Sequence, residues 1–303
     1  VKKGIEPIFD NDPRVSSICT FDKKDKEKGF WGLLRAITKV RKLKLDIMLC
    51  VHRSTRSTII ARTCGAKKVI GFRSASMSFL FSKRVIRQAE HEVIKNNKLL
   101  EALDDRFKEL QPNIAEPYTL YPPKKTNRKD LSELEKNSFI VVSAGSKWET
   151  KKWTLEGYIE LINRILKSYI YKVVLSGDKS DIKNSDSICS GLSSTKRVMD
   201  FTGKLNIQEL FYLISKARLV VTNDSAPMHI AVGLKVPVLA VFGPTVKELG
   251  FYPYSKKAAV VENNNVACRP CGLHGHKKCP NQTHECMKSI TPIEVFEALE
   301  TLL

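Results

Sequence analysis

Residues 220–245, VVTNDSAPMHIAVGLKVPVLAVFGPT, decide the fold class. A short apolar run, a small polar turn, an apolar helical stretch (APMHIAVGL) and a second apolar run (VPVLAVFG) succeed one another without a break. Apolar runs too short for buried helices, bounded by Gly, Pro, Asn or Asp, read as fully buried strands, and a helix between two of them is one unit of a parallel sheet. The turn carries the chemistry. Asp224, Ser225 and Ala226 start the helix, so Asp224 or Ser225 is placed to cap it while free backbone N–H groups sit at its positive end. Such an end suits a phosphate, and His229, one turn in, faces the same mouth. An ordinary capped helix with a core-facing histidine would use the same residues.

The same alternation runs outward on the N-terminal side: strand SFIVVSAGS, helix TLEGYIELINRILKSY, strand YKVVLSGD, helix NIQELFYLISKA and strand RLVVTND. Four strands with helices between them predict a parallel sheet covered on both faces, with ligands at the carboxyl ends of the strands. The loops at those ends, SAGSKWETKKW, SGDKSD, TNDSAPMH and FGPT, are polar or contain glycine and converge on one crevice. Ser146, Lys147, Lys151 and Lys152 bring a hydroxyl and cations to its edge, and a lysine is a competent point charge for a diphosphate. A solvated basic loop is the plainer use of the same residues.

Earlier in the chain, helix GFWGLLRAITKVRKLKL leads into strand DIMLCVH, and RSTRSTIIARTCGAKKVIGF reads as a helix ended by Gly65 and a strand from Lys68 to Phe72. The helix HEVIKNNKLLEALDDRF places Val93, Leu99, Leu100 and Leu103 near one face. The pattern then stops. Prolines 112, 117, 122 and 123 and a basic run mark a linker, so the expected organisation is an α/β domain over 1–122, a linker over 123–137 and a second α/β domain over 138–303. A chain of 303 residues suits two domains of about 100 to 200 residues each.

Lys and Arg exceed Asp and Glu by 51 to 32, a formal charge of +19 spread along the chain, which fits an acidic partner or a lysine-rich genome. The sequence contains no apolar run long enough to span a bilayer, and the basic start lacks the apolar core of a signal peptide, so the chain reads as cytoplasmic. A binder of single-stranded nucleic acid would interleave aromatics on a basic face, and none do so here.

Taken together, SAGSKWETKKWTLEGYIELINRI, FTGKLNIQELFYLISKARLVVTNDSAPMHIAVGLKVPVLAVFGPT and DIMLCVHRSTRSTIIARTCGAKKVIGF resemble the ADP-heptose:lipopolysaccharide heptosyltransferases. The resemblance implies two Rossmann-like domains facing each other in the GT-B arrangement, the second binding ADP-heptose and the first the lipopolysaccharide inner core. It implies donor contacts from Ser146, Lys147 and Lys151 to the phosphates, Leu205 at the adenine, Asp178 or Asp181 at the ribose, and Asp224, Ser225, Ala226 and His229 at the diphosphate and sugar. His52, Arg53 and Arg56 fall where the first domain meets the acceptor. The implied reaction is inverting, metal-independent transfer of heptose to Kdo-lipid A or a heptosylated inner core, with no cofactor, at the cytoplasmic leaflet of the inner membrane and with no nucleic acid partner.

The likeness lapses at the start. Members of that family open with a strand and a glycine-rich loop whose Gly-Asp pair supplies the proposed general base. VKKGIEPIFDNDPRVSSICTFDKK resembles the segment just after that unit, so a first domain lacking roughly 50 residues is expected, and no catalytic base is assigned. The alternatives are a non-catalytic nucleotide-sugar or nucleic-acid binding protein, or an inactive fragment. Near the end, Cys268, Cys271, Cys279 and Cys286 lie among His274, His276 and His284. Their C-x2-C opening fits a zinc loop, the irregular second half fits reduced thiols, and no metal ligand is assigned.

Overall fold

The β-branched runs of the chain form two parallel sheets, each inside its own compact unit, Val1–Asn113 and Ile114–Leu303. The computed structural model describes every residue except 23–27, 110–112, 116, 117 and 137. Among the described residues, no helix is long and apolar enough to cross a membrane.

In the first unit, α1 (Gly29–Arg41) precedes β1 (Ile47–Cys50), α2 (Thr55–Thr63) and β2 (Lys68–Phe72), and then come β3 (Lys83–Val85) and α3 (Glu92–Glu101). The strands pair in parallel in the order β1-β2-β3. Ser54 caps α2 by accepting from the Ser57 N–H at 3.3 Å, and Gly65, at φ 88°, turns the chain in the left-handed region beyond the helix end, where a side chain would be strained. Val69 packs with Cys50, Ala61, Ala75 and Phe81, whereas Ile70 and Phe72 pack with Leu99 of α3. Leu99 is therefore the residue by which α3 joins the core. The three-residue strand β3 has no counterpart in the sequence expectation.

The second unit begins earlier than expected. Tyr118 donates its hydroxyl to the His229 carbonyl at 2.8 Å, Leu120 N–H donates to the Gly233 carbonyl at 2.7 Å, and Leu131 of α4 (Lys129–Ser132) is buried. Prolines 122 and 123 thus belong to a strap packed on the second unit instead of a free linker; prolines 112 and 117 lie outside the described residues. The apolar residues between the prolines hold the strap down.

Six parallel strands complete the second sheet: β4 (Phe139–Ser143), β5 (Lys172–Leu175), β6 (Val198–Asp200), β7 (Leu219–Asn223), β8 (Val238–Phe242) and β9 (Ala258–Glu262), in the order β6-β5-β4-β7-β8-β9. Every residue of β4, β7 and β8 is buried, the pattern of a sheet covered on both faces. Ile140 and Val142 point into a cluster with α5 (Leu155–Ser168), α6 (Ile182–Gly191) and α10 (Pro292–Glu300), and the alternate residues Phe139 and Val141 face the opposite layer. That layer contains α7 (Ile207–Lys216) and α8 (Ala226–Gly233), while α9 (Glu285–Lys288) brings Cys286 and Met287 to the α5 side. On α5, Tyr158, Leu161, Ile162 and Ile165 are wholly buried, each contributing about 1.5–3 kcal/mol of transfer free energy. This packing fixes the sheet edge on which the polar loops sit.

Candidate functional site

The loops after β4, β5, β6, β7 and β8 line one cavity of about 590 Å³. At its floor Lys151 Nζ donates to Asp224 Oδ2 at 2.6 Å, and the Thr245 hydroxyl donates to the same oxygen at 2.6 Å. Lys151 and Asp224 are 8% and 7% exposed, so this charge pair is held largely out of water. Lysine has three N–H donors and Asp224 takes one of them. A buried cation already oriented beside a helix start is suited to an incoming anion.

Asn223 fixes that arrangement. Its Oδ1 accepts from the Trp153 N–H at 3.0 Å and the Tyr158 hydroxyl at 2.9 Å, and its Nδ2 donates to the Ala144 carbonyl at 2.8 Å. The loop carrying Lys151 is therefore pinned to the end of β7, one residue from Asp224.

The helix start differs from expectation in one respect. Neither Asp224 nor Ser225 caps α8: Asp224 is committed to Lys151 and Thr245, and the Ser225 hydroxyl pairs with that of Thr222 at 3.1 Å. With no side-chain cap, and with Pro227 in its first turn, α8 turns its positive end toward the cavity that Ser225, Ala226 and His229 also line. Ser146, Lys147, Asp178 and Leu205 line it as well. Asp178 is exposed and accepts from the Ser180 N–H and hydroxyl, both at 2.6 Å, whereas Asp181 is buried and pairs with Lys152 at 3.4 Å. Burial works against the Lys152 charge, but Glu149 and Asp181 outweigh it and raise its pKa. Gly145 is required beside Asp181, because a Cβ there would run into the carboxylate oxygen. Of the two aspartates, Asp178 is the accessible one.

In the first unit, His52 and Arg56 line a separate cavity of about 990 Å³ at the carboxyl end of β1. The Arg56 guanidinium lies 4.7 Å from the Phe21 ring centroid. Arg53 differs: it contributes its carbonyl, which accepts from the Ser76 N–H at 3.0 Å, and is not part of that lining.

The cysteine loop packs against the second unit's site. His276 N–H donates to Thr150 Oγ1 at 2.7 Å, Thr150 N–H donates to the His276 carbonyl at 3.1 Å, and Cys271 N–H donates to the Pro244 carbonyl at 2.7 Å. Arg269, with only 3% of its side chain exposed, pairs with Glu262 at 2.6 Å and donates to the Thr245 carbonyl at 2.8 Å. Cys268, Cys271, Cys279 and Cys286 are free thiols around a 260 Å³ cavity shared with His276 and His284. Among the described residues, no three His, Cys, Asp or Glu side chains are arranged to hold a metal ion. Backbone N–H groups, first that of His284, hold the Cys279 thiol below its usual range, while burial pushes Cys286 up to about 11. Asn223, Thr245 and Arg269 are structural parts of the site that the sequence reading did not single out. FGPT marked the loop of Thr245 but nothing in it marked the hydroxyl.

Residues 33–283 match the family model described as glycosyltransferase family 9 (heptosyltransferase). A lipooligosaccharide heptosyltransferase 2 of Campylobacter jejuni is 33% identical over 148 residues, covering 45% of this chain and 45% of the relative, so the match spans less than half the relative's length. A glycosyl transferase family 9 structure from Veillonella parvula superposes with a TM-score of 0.83 at 18% identity, over 99% of this chain and 86% of that one. The E. coli ADP-heptose lipopolysaccharide heptosyltransferase II structure gives 0.69 at 20% identity, over 98% and 86% respectively. These two likenesses establish the α/β fold with parallel sheets. With its strand-end cavity and a family match across most of its length, the chain belongs to glycosyltransferase family 9, the heptosyltransferase family.

Proposed function

We propose that this chain is a heptosyltransferase that moves heptose from ADP-heptose to the lipopolysaccharide inner core, either Kdo-lipid A or a core already bearing heptose. The observation that carries the reading is the buried Lys151–Asp224 pair beside the uncapped start of α8, at the centre of a cavity lined by five strand-end loops. In the proposed reaction an acceptor hydroxyl attacks the anomeric carbon and gives up its proton to a general base, to which no residue is assigned; the bond from that carbon to the β-phosphate oxygen breaks, and ADP leaves with the electron pair. Configuration inverts, and Lys151 and the α8 end stabilise the charge that develops on the diphosphate. The chemistry needs no metal. Leu205 and Asp178 receive the nucleoside, and His52 and Arg56 offer cations or donors to an anionic acceptor on the first unit. The charge of +19 supports work at an anionic surface such as the inner leaflet.

Calorimetry with ADP tests the reading. Binding to the second unit is expected, and Lys151→Ala is expected to weaken it by about 1–3 kcal/mol, the scale for losing a charge-assisted hydrogen bond. Absence of heat at millimolar ADP with folded protein would refute the donor site.

A further inference from the structure

The strand order of the second sheet assigns a direction to its cavity. Because the strands lie in the order β6-β5-β4-β7-β8-β9, their carboxyl-end loops form a row: Leu205 after β6, Asp178 after β5, Lys151 after β4, Asp224 after β7 and Thr245 after β8. A nucleoside diphosphate sugar is itself linear, with base, ribose, diphosphate and sugar in sequence. On the donor reading above, on which this inference rests, the nucleoside occupies the β6–β5 end and the diphosphate the β4–β7 centre. The remaining length lies under the β8 loop.

Two aromatic rings meet where the cysteine loop crosses the β4 and β8 loops, joined to them through Thr150 and Pro244. Trp148, from the loop after β4, and His274, from the cysteine loop, present parallel rings with centroids 6.4 Å apart and planes 5° apart. Both line the cavity, and so does Leu273, a large apolar side chain that is 62% exposed beside His274. The Lys147 ammonium lies 5.8 Å from the Trp148 ring centroid, placing a cation at the same lip. Neither ring is held in a core. Trp148 is half-buried and His274 exposed, yet the backbone near each is fixed by the paired bonds of Thr150 with His276 and by Cys271 N–H on the Pro244 carbonyl.

We infer that Trp148 and His274, with Leu273 beside them, form the wall against which the transferred sugar packs. A sugar ring has faces of C–H groups bearing slight positive charge and an edge of hydroxyls. The faces suit the negative face of an aromatic ring, and an imidazole adds a polar tip for a hydroxyl. The cysteine loop then acts as a carrier that brings a specificity residue, His274, to a sheet edge otherwise built from strand-end loops. The apolar lining at Leu205, Ile207 and Leu210 serves the base at the other end.

The test compares ADP with ADP-heptose on the wild-type protein and on Trp148→Leu and His274→Leu. Both positions lie outside the core, and thermal unfolding of each variant is measured alongside. Affinity for ADP is expected to stay within about twofold, while affinity for ADP-heptose falls about fivefold or more in each variant, the scale of one lost ring contact. Equal losses for both ligands would place the rings at the nucleotide and overturn the inference, and so would unchanged affinity for both. Wild-type protein that binds no ADP would refute the donor reading, and the sugar wall with it.

Discussion

Replacing Lys151 with methionine isolates the buried pair at the floor of the cavity. Lys151 Nζ and Asp224 Oδ2 are 2.6 Å apart, and at an effective dielectric of about 20 that separation corresponds to about 6 kcal/mol of attraction. Most of this is offset by the cost of removing both charges from water, so the pair adds little net stability. Deleting one partner is different, because Asp224 then stays buried with its compensation cut. The usual cost of such an orphaned charge is about 3–5 kcal/mol, and the surviving Thr245 hydroxyl puts Lys151→Met near 3 kcal/mol. For a unit of this size the melting temperature should drop by about 6–12 °C. Adding Asp224→Leu removes the orphan and is expected to recover more than half of the loss.

Urea unfolding monitored by tryptophan fluorescence reads the second unit selectively. Trp153 is 2% exposed there, with its ring edge-to-face on Tyr158, whereas Trp31 of the first unit is 72% exposed and changes little on unfolding. If the double variant were less stable than Lys151→Met, or if the two single losses simply added, the charges would not be coupled and the reasoning would fail.

Gly145→Ala is expected to destabilise the second unit by about 1–3 kcal/mol, because the new Cβ would meet the buried Asp181 carboxylate; an unchanged melting temperature would show that the loop moves aside freely. Alkylation by iodoacetamide, mapped by mass spectrometry, should modify Cys279 before Cys286. The backbone N–H groups led by His284 favour the Cys279 thiolate, so its reaction rate should reach its plateau at a lower pH than an ordinary thiol, while Cys286, pushed up to about 11 by burial, stays protonated at neutral pH. Faster labelling of Cys286 would contradict both assignments.

How far the fold could be read in advance depended on how much each segment announced by itself. FIVVS, LVVTN and VLAVF are near-continuous apolar runs between turn residues, and each became a fully buried strand. KRV and VMD are too short to show a period, and β3 and β6 exist because a neighbouring strand pairs with them. The segment of α10 did carry a signal. Thr291 and Glu294 form a capping box with Pro292 in the first turn, a helix start that follows directly on the cysteine loop. In the site, Lys151 and Asp224 were legible because charged residues at the ends of buried strands are conspicuous. The expected cap on α8 failed because two partners far away in sequence, Lys151 and Thr245, claim the carboxylate first. No local pattern encodes that competition.

The same long-range contacts tie down the cavity floor although it is made of loops. Glu262 at the end of β9 pairs with Arg269, which donates to the carbonyls of Gly243 and Thr245; Thr245 donates to Asp224, and Asp224 holds Lys151. Each link ties the loop after one strand to a group delivered by another. Lys151 is approached from the other side as well, since Thr150 is clasped by His276. A cation on a free loop would lose side-chain and backbone freedom on meeting a diphosphate, and that entropy would be subtracted from its affinity. Here folding has already ordered it. The cysteine loop, remote in sequence from the strand ends, is therefore part of the preorganisation: it supplies Arg269 beneath the floor and His276 beside it, while His274 stands at the rim.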